Sequence, residues 1–472
     1  MARFRRNKWR EGCYENNCPV KQHLHLVLAV TAAVAVFLPS IDGQTATKSK
    51  SKTPTKAKAA PPKAKAKAAT AKAKAKVVSP APAEYVARSI ATPGAVTSPG
   101  GLVPFFEQLY RHQRGELPGP VKILQYGDSH TAADEFTGEL RTLLQSSFGN
   151  GGSGFSMAGS PWKSYRRRDV KSGSTLGWYT EGLTTRPGDG FFGLGAISMT
   201  ATRPHESVYI ETDAAQFELF YYQQPGGGSV QLFDNGNAVD LISTEGVAGP
   251  GYYRVETVPG FHRFELETQD RRPVRLFGWV AENATGITYE TLGINGAQAD
   301  IVNRWGVETL EANIGHRNPD LIVLAYGTNE AGSRTWTLES YREMFAGLLA
   351  RFRAAAPTAS ILVIGPPDRD QRVKRVWKTM ERVGMIAEAQ KLAAQDMGAT
   401  FIDLRAQMGG SGSMLQWVKA GMAQADHVHL TSPGYHMLGD AVFRDLMMQY
   451  GTFLQVRPAI MAEAPKSSRP PL

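Results

Sequence analysis

The chain has 472 residues, long enough for two domains, with 53 Lys+Arg against 43 Asp+Glu and a formal net charge of +10. The positive balance sits at one end: residues 1–79 carry a net +14 and residues 80–472 a net −4, which argues against nucleic acid as the body's ligand, for which a basic stripe within the fold is expected. The two cysteines, Cys13 and Cys18, precede the first apolar run, which leaves the rest of the chain without a thiol to oxidise or to ligate a metal.

Arg3, Arg5, Arg6, Lys8, Arg10 and Lys21 precede the segment Leu26 to Leu38, which is apolar apart from Thr31. A basic stretch followed by an apolar run shorter than the roughly 20 residues of a membrane span is the layout of a secretory signal. No small-x-small cleavage site follows Pro39, so residues 1–43 read as a cleaved signal or an uncleaved anchor, and the chain as exported to the periplasm or cell envelope. Residues 44–100 read as a linker. Up to residue 79 it is almost only Ala, Lys, Pro, Thr and Ser, with eleven lysines and no acidic residue, a composition that cannot bury a core and predicts disorder. It is either a solvated spacer or a polycationic tether to anionic envelope polymers or a membrane surface.

Val121 to Tyr126 alternates as a strand, Gly127 permits a tight turn, and Thr131 to Ser147 predicts a helix. Gly127-Asp128-Ser129-His130 therefore lies where a strand hands over to a helix, a position that suits a serine nucleophile facing a developing anion. Residues 158–286 break the α/β rhythm. Their runs Ser207–Glu211, Gln216–Gln223, Ser229–Phe233, Tyr252–Val258, His262–Thr268 and Val274–Val280 predict an antiparallel β-sandwich inserted into the surrounding domain. Trp162, Trp178, Tyr221, Tyr222, Tyr252 and Tyr253 in it suit either a core or the faces of sugar rings.

From Leu321 strand and helix alternate again. Leu321–Tyr326, Ser360–Ile364 and Thr400–Leu404 predict buried strands, Leu338–Ala355 and Val373–Met397 helices, and Pro433–Met448 a closing helix capped by Ser432. The body is thus expected to be a doubly wound, mainly parallel α/β sheet over residues 101–157 and 287–455, with a flexible tail at 456–472.

Acyl transfer by serine needs a base, a group that orients the base, and donors for an oxyanion. Of the eight histidines after the N-terminal segment, only His429 has an aspartate three residues before it, Asp426, in the loop before the closing helix. Such a spacing lets a carboxylate fold back onto Nδ1 and leaves Nε2 free. Gly327-Thr328-Asn329 follows a strand and Gly293-Ile294-Asn295-Gly296 follows the insertion, so the Asn329 amide and the Gly296 N–H are candidate oxyanion donors. No Gly-x-Ser-x-Gly, His-Glu-x-x-His, P-loop or Cys-x-x-Cys motif occurs.

Together these segments resemble the SGNH (GDSL-type) hydrolase superfamily. The resemblance implies a flavodoxin-like fold, a catalytic triad of Ser129, Asp426 and His429, an oxyanion hole of Ser129, Gly296 and Asn329, and no metal or cofactor. Asp128 is expected to be a cap or turn former. Gly-Asp-Ser-His, the glycine-rich Gly149 to Phe155, Gly293-Ile294-Asn295-Gly296-Ala297 and the β insertion resemble bacterial peptidoglycan O-acetylesterases, in which the inserted domain is similar to a carbohydrate-binding module. That resemblance implies an O-acetylated polysaccharide substrate. Acetyl transfer, another extracellular polysaccharide, and an envelope-binding protein with an inactive site are the alternatives.

Overall fold

The computed structural model describes residues 80–463. The expected signal or anchor, the linker up to residue 79 and the tail from 464 lie outside the described residues. Among those described, no helix is long and apolar enough to cross a membrane.

Six strands form the central sheet: β1 (Val96–Thr97), β2 (Val121–Gly127), β3 (Ile287–Gly293), β4 (Leu321–Ala325), β5 (Ser360–Ile364) and β6 (Thr400–Ile402). Their order is β1-β6-β5-β4-β2-β3. Strands β2 to β6 are parallel, and only the short edge strand β1 is antiparallel to its neighbour. Numbered from β2, the parallel strands run 2-1-3-4-5, the doubly wound order whose winding reverses beside the first strand, between β2 and β4.

Successive side chains point to opposite faces. Val121, Ile123, Leu321, Val323, Leu362 and Ile364 join one buried cluster with helices Val103–Gln113, Phe136–Phe148 and Ser432–Glu463. Leu124, Tyr126, Ile322, Leu324, Ile361 and Val363 join the other, with helices Val307–Arg317, Leu338–Ala355 and Arg382–Asp396. Both faces are covered, which is why these strands read as near-continuous apolar runs.

The β-rich segment forms a nine-stranded antiparallel sheet built on two long strands, Ser207–Gln223 and Gly249–Thr268. Where a sandwich of short strands is expected, the hydrogen bonds make one continuous network. Pro259-Gly260 produces a register shift between Glu256 and Gly260 in a strand that continues, instead of a turn that ends it. The buried side of this sheet, including Phe217, Leu219 and Trp279, belongs to the same cluster as Leu124 and Tyr126 of β2. Tyr221 and Tyr222 are buried, and Trp162, Trp178, Tyr252 and Tyr253 pack half-buried against that cluster. Tyr252 stacks on His316 at 3.6 Å.

Four expectations change. Residues 82–100, placed in the linker by composition, contain helix Pro82–Ala91 and strand β1, because Val86 is buried and β1 pairs with β6. The closing helix runs to Glu463, into the expected tail, where Arg457 makes two 2.7 Å bonds to Glu107. The helix expected at Val373–Met397 begins at Arg382, since Asp370–Val373 and Val376–Thr379 pair as a hairpin. The helix expected from Thr131 is broken into Ser129–Ala132 and Phe136–Phe148 at Asp134, which has φ 53°.

Arg317 links the two sheets. Its guanidinium reaches Glu290 of β3 at 2.8 Å and Glu282 of the antiparallel sheet at 2.5 Å, with all three side chains buried. Buried charges are tolerated only when paired. Arg317→Ala strands two carboxylates, and urea unfolding is expected to show a loss of about 3–5 kcal/mol; an unchanged midpoint would deny the pair this role.

Candidate active site

Parallel registration places Gly127 of β2 opposite Gly293 of β3 and Ala325 of β4. The segments that leave these three strands therefore start level, about 5 Å apart, at the carboxyl edge where the winding reverses. Ser129, Gly296 and Asn329 each lie on one of them.

Close packing fixes the first segment. A Cβ on Gly127 would lie 2.2 Å from Thr131 Oγ1 and 2.6 Å from the Ala325 carbonyl oxygen, so only glycine lets the chain turn there. Asp128 is the N-cap, accepting from the His130 N–H at 2.9 Å, the part expected of it. Ser129 opens the one-turn helix. After it Asp134, wholly buried, accepts from Thr137 Oγ1 at 2.8 Å, Thr291 Oγ1 at 2.6 Å and the Arg168 N–H at 2.6 Å, and pairs with Arg141. Burial raises its pKa, but Arg141 and Arg167 outweigh that and hold the carboxyl below its ordinary range.

His429 comes from the opposite direction. The loop before helix Ser432–Glu463 is closed by Gln424 N–H to His429 O at 2.8 Å and by Gln424 Nε2 to Leu430 O at 2.9 Å. Its Nε2 lies 2.9 Å from Ser129 Oγ, and its Nδ1 lies 2.7 Å from Asp426 Oδ2. The other Asp426 oxygen accepts from the Val428 N–H at 2.9 Å and the His429 N–H at 3.0 Å. Partial burial pushes the Asp426 pKa up; the bond from His429 and the two amides prevail and hold it below the usual carboxylate range. A carboxylate so held keeps the proton on Nδ1 and leaves Nε2 to accept one from the serine hydroxyl. The structure thus brings Ser129, Asp426 and His429 into one hydrogen-bonded line.

The other two candidates are held to each other. Asn329 Nδ2 donates to the Ala297 carbonyl at 2.8 Å, which leaves its second amide hydrogen. Gly296 stands exposed at φ 74° in the turn before Ala297, and among the described residues its N–H donates to no protein group. Both segments hang on Glu330, a fully buried carboxylate that accepts from the Ala299 N–H at 2.7 Å, the Gly327 N–H at 3.1 Å and Tyr341 OH at 3.0 Å. Burial pushes its pKa up to about 7.

Sequence reasoning missed several of these supports. Asp134 and Glu330 look like ordinary polar residues beside a motif. His427 pairs with Asp370 at 2.6 Å, both buried, and stacks on Trp377 at 4.1 Å. His130 Nδ1 lies 2.8 Å from Tyr435 OH, and its ring stands 5.2 Å from that of His429. His130 is partly exposed as a residue, yet its Nε2 is buried without a partner, and burial pushes its pKa down to about 3. The only sequence signal for any of these is the unusual His after Ser129.

A family model of the GDSL-like lipases and acylhydrolases matches residues 245–437, a span that holds Gly296, Asn329, Asp426 and His429 but not Ser129. A solved peptidoglycan O-acetylesterase is 27% identical, with a TM-score of 0.65, covering 74% of this chain and 96% of that one. Family-two carbohydrate esterases from Clostridium thermocellum, with cellohexaose, and from Cellvibrio japonicus are 10% and 11% identical. Their TM-scores are 0.28 and 0.27, covering 54% and 60% of this chain and 95% and 98% of theirs. Comparison with curated proteins gives no match. Family model and solved relative agree: over residues 245–437 the chain is similar to the GDSL-like lipases and acylhydrolases, and it is a carboxylic ester hydrolase.

Proposed function

We propose that this protein removes O-acetyl groups from peptidoglycan in the cell envelope through an acetyl-enzyme, with Ser129 as nucleophile, His429 as base and Asp426 as its orienting partner. The observation that carries the proposal is the unbroken line from Asp426 through His429 to Ser129 Oγ, at 2.7 and 2.9 Å, at the switch point of the sheet. The glycan is inferred from the 27% identical peptidoglycan O-acetylesterase, which spans 74% of the chain.

As Ser129 Oγ attacks the acetyl carbonyl carbon, His429 Nε2 takes its proton, and the carbonyl electrons move onto oxygen. The Ser129 and Gly296 N–H groups and the Asn329 amide receive that oxyanion. Collapse breaks the bond to the sugar oxygen, which leaves with the proton from His429. Water then attacks the acetyl-enzyme, giving its proton to His429, and acetate departs as Ser129 is reprotonated. Asp426 stays ionised throughout and stabilises the imidazolium. The eleven lysines of residues 44–79 add an electrostatic attraction to anionic envelope polymers.

Ser129→Ala is expected to lower kcat for 4-nitrophenyl acetate by about 10⁴-fold or more with the fold intact by circular dichroism. Retained turnover would remove Ser129 from its role. Asn329→Ala should cost about 10²–10³-fold in kcat with KM little changed. Acetate release from O-acetylated peptidoglycan should exceed that from acetylated xylan; equal release from both would overturn the choice of glycan.

Asp426 also sets a pH dependence. Its folded pKa lies below the unfolded value of about 3.9, so its contribution to stability is present above that value and is lost as pH falls through the folded pKa. The stability gap between the wild type and Asp426→Asn, read by urea unfolding, is therefore expected to be larger at pH 7 than at pH 2.5.

A further inference from the structure

The hairpin of Asp370–Val373 and Val376–Thr379 rises from the rim of the site. Its base is tied to both sides. Arg369, just before it, donates to the Thr328 carbonyl at 2.6 Å, next to Asn329. Asp370 Oδ2 lies 2.6 Å from Nδ1 of His427, two residues from His429, and the Asp370 N–H donates to the His427 carbonyl at 3.0 Å. Trp377 stacks on the His427 ring at 4.1 Å with 15° between planes.

Strand pairing fixes which side chains share that face. Asp370 pairs with Thr379 and Arg372 with Trp377, so Arg372 lies on the face that meets His427, whereas Lys378 and its partner Gln371 lie on the other. Arg372 sits 5.8 Å from the Trp377 ring. The Val373–Val376 pair is joined by a two-residue loop, Lys374-Arg375, with φ of 47° and 67°. A loop with both central residues at positive φ strongly favours Asn-Gly. Here two long cations occupy it at a conformational cost, and such cost at a rim points to what the side chains do.

Arg372, Lys374 and Arg375 are exposed, and among the described residues none has a carboxylate within 4.0 Å. The one acid of the two strands, Asp370, is buried against His427. The tip lies on the order of 10 Å beyond the His427 contact, at about 3.3 Å per residue.

Resting on the reading of the site given above, we propose that the face and tip of this hairpin, Arg372, Lys374 and Arg375, bind the free carboxylates of the peptide stems that flank the acetylated sugar in peptidoglycan. The hairpin is a specificity element and takes no part in bond making. Its cations select an anionic, peptide-bearing glycan over a neutral one and work through KM.

The test compares wild type with Lys374→Asn/Arg375→Gly, whose loop sequence is the one the turn prefers, and with Arg372→Gln. Acetate release is followed from O-acetylated peptidoglycan, from the same material with its carboxylates capped as glycinamides, and from 4-nitrophenyl acetate. For the variants KM on the uncapped glycan is expected to rise about tenfold with kcat unchanged. Activity on the small ester should stay within twofold, and the rise of KM with salt should be blunted. Capping the carboxylates should raise KM for wild type and leave the variants nearly unaffected. Lys378→Gln, on the opposite face, should leave every value within twofold. Equal KM for wild type and variants on uncapped glycan would overturn the inference while leaving the esterase reading intact. So would loss of binding to anionic phospholipid vesicles without a change in KM, which would assign the hairpin to a membrane surface. Wild type that hydrolyses 4-nitrophenyl acetate but releases no acetate from peptidoglycan would instead fail the proposed substrate itself, and the inference with it.

Discussion

Everything at this site depends on the register of three parallel strands. Gly127, Gly293 and Ala325 stand in one row, so the serine turn, the Gly296 turn and the Asn329 segment start from the same level. A slip of one residue would send Leu124 and Tyr126 to the opposite face, exchanging the contents of two filled apolar clusters. Packing on both sides of the sheet thus fixes a polar geometry at its edge. The absence of a Cβ at Gly127 brings the serine turn against β4.

The edge is then stiffened by buried polar groups. Asp134, Glu330 and the Asp370–His427 pair are each removed from water, which is expensive unless their hydrogen bonds are met. Each is met by partners far away in the chain: Asp134 by Thr291, Glu330 by Ala299, Asp370 by His427. These contacts tie the segment after β2 to β3, the segment after β4 to the one after β3, and the segment after β5 to the loop that carries His429. Asp426, by contrast, bonds only within its own loop, and its carboxylate remains partly open to water. Rigidity comes from the surroundings, while the Asp426 end of the line stays exposed.

Much of this was legible beforehand where the signal was local. Leu338–Ala355 carries a helical period and Ser360–Ile364 a short continuous apolar run, and they form over those same residues. Asp426 and His429 are three residues apart and needed only a turn to meet. The reading fails where a distant partner overrides local pattern. Val373 to Met397 has helix-forming stretches, yet its first part is drawn into a hairpin by Asp370 and Trp377 packing on His427, which follows Asp370 by 57 residues. Thr131 to Ser147 is interrupted because the Asp134 carboxylate is needed by Thr291, Arg141 and Arg168, and the backbone accepts a positive φ to deliver it.

The candidate residues for acyl transfer and the alternation of strand and helix that gathers strand ends on one edge are readable in the sequence alone, because both follow from residue type and short-range spacing. Tertiary structure decided what could not be encoded locally. It set the level start of three segments, joined the strands of residues 152–282 into one sheet, and stood a cationic hairpin beside the His429 loop. Those features are made by pairs of groups dozens to hundreds of residues apart, whose attraction exists only once burial has brought them together.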